Sequence, residues 1–154
     1  MTLPAVGSPA PDFTLETTSG SSVTLSAFRG TQHVLVAFFP LAFTGTCTAE
    51  MCAFSDDYSQ FASRDVAVVP ISVDSLPTLK EFKAKHGMKV ELASDFKRDV
   101  SRAWGVLNPE KFSANRSYFL VDKSGVVRWS HVEAVNAQRR ENAELLAQIA
   151  RLGA

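Results

Sequence analysis

Six consecutive apolar residues, Val34-Leu35-Val36-Ala37-Phe38-Phe39, limit the folds open to this chain. The run has no polar side to turn toward water, so it reads as a buried central strand. Val66–Val73 is almost wholly apolar too, the pattern of a strand covered on both faces. Pro40 stops the first run, because proline cannot donate to a central ladder. After a short loop the sequence turns helical, and Cys47 falls where that helix should begin.

The remaining elements follow in order. Residues 1–12, with Pro4, Pro9 and Pro11, read as an extended arm. Phe13–Glu16 and Val23–Leu25 flank Ser19-Gly20 and predict a small hairpin. Ser26–Gly30 reads as a helical turn closed by glycine. A helix is expected over about 48–63, with Met51, Phe54, Tyr58 and Phe61 forming a core-facing stripe. Ser75 caps a helix that runs to His86 and ends at Gly87, with Leu76, Leu79 and Phe82 on its apolar face. Val90–Ala93 predicts a short strand, Asp95–Trp104 a short helix stopped by Gly105, and Asn108–Ala114 a polar loop. Ser117–Val121 and Val126–Val132 alternate around Asp122-Lys123-Ser124-Gly125, a strong hairpin signal. The last helix is expected from about Ala137 to Leu152. This order predicts an α/β sandwich, with a mixed sheet and helices on both of its faces. Residues 1–154 suit one domain with one core.

Bulk properties remove several function classes. Sixteen basic and sixteen acidic residues cancel and form no basic block, so no nucleic-acid partner is expected. Met1-Thr2-Leu3-Pro4 lacks the charged and apolar regions of a signal peptide, and no apolar run approaches a membrane span. A cytoplasmic protein without a membrane partner is expected, with its thiols mostly reduced. His33, His86 and His131 are scattered, and Cys-x4-Cys is not zinc spacing, so no metal is expected. No glycine-rich phosphate loop is present either, and no cofactor is expected.

Cys47 supports two readings on position alone. It is either a small buried hydrophobe or a reactive thiol. A helix N-terminus favours the second, since its unpaired N–H groups and dipole favour an anion, and the thiolate is the nucleophile. The pattern around it carries more weight. Pro40-x3-Thr44-x2-Cys47 resembles the active-site motif of the peroxiredoxins. Cys47-Thr48-Ala49-Glu50-Met51-Cys52 and the residues to Asp56 resemble the bacterioferritin-comigratory (PrxQ) branch, which has a second Cys five residues on. Phe38–Gly45, Ser94-Asp95-Phe96, Trp104-Gly105-Val106 and Ala114-Asn115-Arg116 are similar to the one-cysteine AhpE branch. The resemblance runs from about Pro9 to Trp129.

The resemblance implies a thioredoxin-like fold with an N-terminal β-hairpin extension, and a thiol-dependent peroxidase. It implies that Cys47 attacks hydrogen peroxide or an organic hydroperoxide, while Thr44 and the distal Arg116 orient the substrate. Pro40, Thr46 and the N–H groups of Thr46 and Cys47 would line the same pocket. Glu50, three residues after Cys47, is either a holder of Arg116 or a first-turn acid suited to the helix dipole. Cys52 is either the resolving thiol or an inert one, the latter in a one-cysteine enzyme that uses an external thiol. Five helical residues separate the two Cα atoms by roughly 8 Å and turn their side chains apart, beyond the ~7 Å a disulfide allows. Resolution by Cys52 therefore requires the helix to unwind, and Gly45 offers a flexible point. Recycling by thioredoxin or a similar thiol donor is implied, in a monomer or a homodimer. Two other readings compete. A disulfide oxidoreductase would need Cys-x2-Cys and a proline before Arg116, where Ser113-Ala114-Asn115 has none. A non-enzymatic redox sensor on the same fold would oxidise once and not turn over.

Overall fold

The computed structural model describes residues 2–152. The strands are β1 (Thr14–Thr17), β2 (Ser22–Thr24), β3 (His33–Phe38), β4 (Val66–Ser72), β5 (Ala93–Ser94), β6 (Ser117–Val121) and β7 (Val127–Val132). They form one seven-stranded sheet in the order β2-β1-β5-β4-β3-β6-β7. β3 runs parallel to β4 and β4 to β5, while β6 pairs antiparallel with β3 and with β7. The β1–β2 hairpin joins antiparallel to β5 and extends that edge. This is the expected mixed sheet with its hairpin extension.

The helices are α1 (Gly45–Asp56), α2 (Tyr58–Ala62), α3 (Leu76–His86), α4 (Asp99–Ala103) and α5 (Asn142–Ala150). Alternation along β3 explains how both faces are covered. Leu35, Ala37 and Phe39 join a core with Met51, Phe54, Phe61, Leu79, Phe82, Leu145 and Ile149 from α1, α2, α3 and α5. Val34, Val36 and Phe38 join a second core with Val100 and Trp104 around α4, together with Ala10, Phe13 and Leu25. The Trp104 ring sits 5.0–6.0 Å from those of Phe13, Phe38 and Phe119. Among the described residues no helix is long and apolar enough to cross a membrane.

The helix of residues 76–86 has the expected ends. Ser75 Oγ accepts from Thr78 N, and Gly87 adopts a left-handed φ of 58°. Elsewhere the boundaries differ for identifiable reasons. The helix expected over 48–63 starts earlier, at Gly45, and breaks at Asp57, whose φ of −99° and ψ of 15° leave the helical region. Asn142 Nδ2 donates to Ala53 O and to Asp57 Oδ2 and so fixes that break. The break shifts the helical phase, so Phe61 stays buried while Tyr58 is 45% exposed and is not part of the core stripe. The strand expected over 90–93 contracts to Ala93–Ser94, because Leu92 N and O both bond to Thr18 and leave β4. Asp95 lies ahead of α4, not inside it. Its buried carboxylate accepts from Val100 N, Ser101 N and Ser101 Oγ and satisfies that helix start. The final helix begins at Asn142, five residues later than its helix-forming composition suggests. Residues 137–141 are instead an irregular segment beside α1.

Candidate active site

β3 delivers the chain to Pro40, and the loop that follows is tightly held. Ala42 N donates to Asp74 Oδ2, which also accepts from Ser72 Oγ. Phe43 takes a left-handed φ of 67°, a strained conformation for an aromatic residue. Thr44 is the N-cap of α1, but its side chain does not cap; Thr44 Oγ donates to Leu41 O at 2.9 Å. Since α1 starts at Gly45, Cys47 is its third residue, still in the turn whose N–H groups lack helical acceptors.

Cys47 is 1% exposed, and its sulfur meets the end of a second chain segment. Arg116 lies immediately before β6, and β6 pairs with β3 and so brings the arginine across to the start of α1. Arg116 Nη2 donates to Cys47 Sγ at 2.9 Å, and Nη1 donates to Glu50 Oε1 at 2.7 Å. Arg116 Nε donates to Asn136 O at 3.1 Å, and Arg116 N to Asn136 Oδ1 at 2.9 Å. Every side of the guanidinium is therefore engaged. Tyr118, two residues along β6, donates its hydroxyl to Glu50 Oε2 and accepts from Arg140 N at 3.0 Å.

Burial is the dominant influence on these groups. It pushes the Glu50 carboxyl above its ordinary range, against the opposing pull of Arg116 and Tyr118. Burial also opposes charge on Arg116, but Glu50 and Cys47 outweigh it and hold the guanidinium protonated above its usual range. Burial together with the Glu50 charge drives the Tyr118 phenol far above its ordinary range.

The residues expected at the site converge in part. Pro40, Thr44, Thr46, Cys47 and Arg116 all line one open cavity of about 490 Å³, together with Asn136. Glu50 lies behind Arg116, out of that cavity, as a holder of the guanidinium. The hydroxyl of Thr44 is turned to Leu41, and that of Thr46 donates to Ala137 O at 3.1 Å. Cys52 is not at the cavity: it is half-buried on the same unbroken helix, packed against the apolar core. Burial pushes its thiol up, and Asp56 adds to the shift.

Two residues of the site are not visible in the sequence pattern. Tyr118 reads only as an apolar position of a buried strand, and its 0% exposure fits that reading. Asn136 falls in an unstructured turn whose fold could not be foreseen. Among the described residues no group of His, Cys, Asp and Glu could hold a metal ion.

Residues 6–130 match the AhpC/TSA family. The chain is 42% identical to alkyl hydroperoxide reductase E of Mycobacterium tuberculosis over 130 residues, covering 83% of this chain and 85% of the relative. It is 39% identical over 125 residues to peroxiredoxin Q, chloroplastic, of Oryza sativa subsp. japonica, covering 80% of this chain and 57% of the relative. In structure it is similar to the reduced 2-Cys peroxiredoxin of Plasmodium vivax, with a TM-score of 0.88 and 31% identity, covering 96% of this chain and 81% of the other.

Proposed function

The chain belongs to the AhpC/TSA family and is a peroxiredoxin, a thiol-dependent peroxidase, and on that premise we propose that Cys47 is its peroxide-reducing sulfur. One observation carries this assignment: Arg116 Nη2 donates to Cys47 Sγ at 2.9 Å inside a pocket open to small substrates. A fixed cation beside sulfur favours the thiolate, and the same donors can meet a peroxide oxygen. The sulfur attacks the terminal oxygen of ROOH. The S–O bond forms as the O–O bond breaks, and the departing alkoxide takes a proton to leave as ROH. Cys47 is left as a sulfenic acid, oxidised by two electrons.

In the second step the Cys52 thiolate attacks the Cys47 sulfur; the S–S bond forms as the S–O bond breaks, and the departing hydroxide takes a proton to leave as water. The resulting disulfide is reduced by a dithiol donor such as thioredoxin, in the cytoplasm, and both thiols return. Because both cysteines lie within Gly45–Asp56, this step requires the turns between them to unwind. Thr44 Oγ leaves Leu41 O to orient the bound peroxide, while Pro40 and Thr46 shape the wall. The intact α1 and the raised Cys52 thiol favour a second reading, in which an external thiol resolves Cys47.

Intact mass after one equivalent of hydrogen peroxide tests both. Loss of two hydrogens within one chain, abolished in Cys52→Ser, supports the internal disulfide. A persistent gain of one oxygen makes Cys52 a bystander. Full peroxidase activity in Cys47→Ser overturns the assignment itself.

A further inference from the structure

Tyr118, like Arg116, touches both the buried Glu50 carboxylate and the segment at the pocket mouth. Its hydroxyl is fully committed, as a donor to Glu50 Oε2 and as an acceptor from Arg140 N. Glu50 in turn has two side-chain donors, Tyr118 and Arg116, one on each oxygen. The carboxylate is 1% exposed, so water supplies neither bond. On the far side, residues 136–140 are tied to the same cluster at three further points: Arg116 N, Arg116 Nε and Thr46 Oγ. Asn136 and Ala137 line the cavity over Cys47.

From these contacts we propose that Tyr118 is a positioning residue of the peroxidase. Its hydroxyl keeps Glu50 ionised and aligned beneath Arg116, and through Arg140 N it holds the 136–140 segment against the pocket. The inference rests on the assignment of Cys47 as the reacting sulfur. The chemistry behind it is an accounting of donors. An ionised carboxylate in a dry site requires its donors, and losing one shifts it toward the neutral acid. A neutral Glu50 no longer fixes Arg116 by charge, and Arg116 then presents Nη2 to the sulfur less accurately. Tyr118 does not line the cavity over Cys47, and its hydroxyl bonds to Glu50 and Arg140 N rather than to the sulfur, so it acts through Glu50, Arg116 and the segment at the mouth.

Tyr118→Phe keeps the ring and removes the hydroxyl. The measurement is the rate of Cys47 thiol loss on rapid mixing with hydrogen peroxide, followed from pH 5.5 to 8. The expected result is a rate about tenfold lower near pH 6. The deficit shrinks as pH rises, because removing a donor moves Glu50 ionisation to higher pH and alkaline solution restores it. In a Glu50→Gln background the same substitution should change the rate little, since the two act as one unit. A Tyr118→Phe enzyme that reacts like wild type across the pH range overturns the inference and leaves Cys47 as the nucleophile untouched. A wild-type chain whose Cys47 fails to react removes the underlying assignment instead.

If Tyr118→Phe does not fold, absorbance at 295 nm decides. The chain has two tyrosines, Tyr58 exposed and Tyr118 buried. In wild type the Tyr118 phenol is expected to stay protonated up to the alkaline unfolding transition, and in Glu50→Gln it should ionise at lower pH. An unchanged titration in Glu50→Gln shows that Tyr118 is not coupled to Glu50 and overturns the inference.

Discussion

Nη1 of Arg116 lies 2.7 Å from Oε1 of Glu50, and each side chain is 1% exposed. Deleting one member of such a pair leaves the other charge buried alone, at a cost of about 3–5 kcal/mol. Arg116→Met is therefore expected to lose stability of about that size in urea and nearly all reactivity with peroxide. Arg116→Lys keeps the charge but cannot reach Cys47, Glu50 and Asn136 O together, so a rate drop of about 100-fold with a smaller stability loss is expected. Stopped-flow rates and urea midpoints on the two variants check both parts. A lysine variant as fast as wild type would contradict the geometric role of the fork.

Thr44 gives a prediction that separates its hydroxyl from its bulk. In the resting site that hydroxyl bonds to Leu41 O, and in catalysis it would turn to the peroxide. Thr44→Val is expected to lower the second-order rate about 100-fold, while Thr44→Ser keeps it within a few-fold. Equal rates in the two variants would remove Thr44 from substrate orientation.

The break at Asp57 sets a limit on unwinding. Asn142 holds Ala53 O and Asp57 Oδ2 at 2.9 and 2.8 Å, whereas Thr44 makes no side-chain cap at the other end of α1. Disulfide formation between Cys47 and Cys52 should therefore speed amide exchange between residues 48 and 52 and leave residues 58–62 protected. Hydrogen exchange on reduced and oxidised protein reads this directly. Asn142→Ala should carry the exchanging region past residue 57. Unchanged protection of α1 in an oxidised, disulfide-bonded sample would refute the unwinding step.

Glu91 joins the hairpin extension to α3 through Thr18 and Lys83. Burial works to raise its carboxyl, but bonding to Lys83 and Thr18 outweighs it and holds the group below its usual range. A depressed carboxylate contributes stability above its unfolded pKa, near 4.3, and that contribution is lost as pH falls through the folded value. Glu91 is 41% exposed, so solvent screens the pair and the contribution at pH 7 should be under about 1 kcal/mol. Thermal melts of Glu91→Gln and wild type should differ slightly at pH 7 and converge in acid. A gap that widens in acid would reverse the sign of this argument.

Gly105 closes α4 at a φ of +70°, where a Cβ would sit 2.7 Å from the backbone C and O of Thr2. Gly105→Ala should cost about 1–3 kcal/mol through strain and displacement of the N-terminal arm. Gly105 is not among the residues lining the Cys47 cavity, so reactivity per folded molecule should be unchanged. Calorimetry and a peroxide assay on one sample test both halves.

The sheet was legible because its central strands advertise themselves: Val34–Phe39 and Val66–Val73 have only one home, a layer covered on both sides. Pro40, Thr44 and Cys47 were legible because their spacing is local. Arg116 was reached only by resemblance, since nothing in its neighbours marks a strand-end arginine as buried. Tyr118 and Asn136 stayed hidden because their bonds are made at a distance; Tyr118 meets Glu50 across 68 residues. Tyr58 misled because a helical stripe presumes constant phase, and Asp57 interrupts it. Residues 137–141 misled because Ala-Gln-Arg-Arg-Glu favours a helix, but backbone groups of 137 and 140 are spent on Thr46 and Tyr118.

Cys47, Glu50, Arg116 and Tyr118 are all buried, yet Cys47 and Arg116 line an open cavity while Glu50 and Tyr118 do not. If Cys47 is the reacting sulfur, a thiolate there would give Arg116 two anions to balance, and a neutral sulfenic acid would leave it one. The bond between Arg116 and Glu50 would then be the part of the site that persists through a turnover. The electron donor would restore the second anion, so its work would be electrostatic as well as chemical.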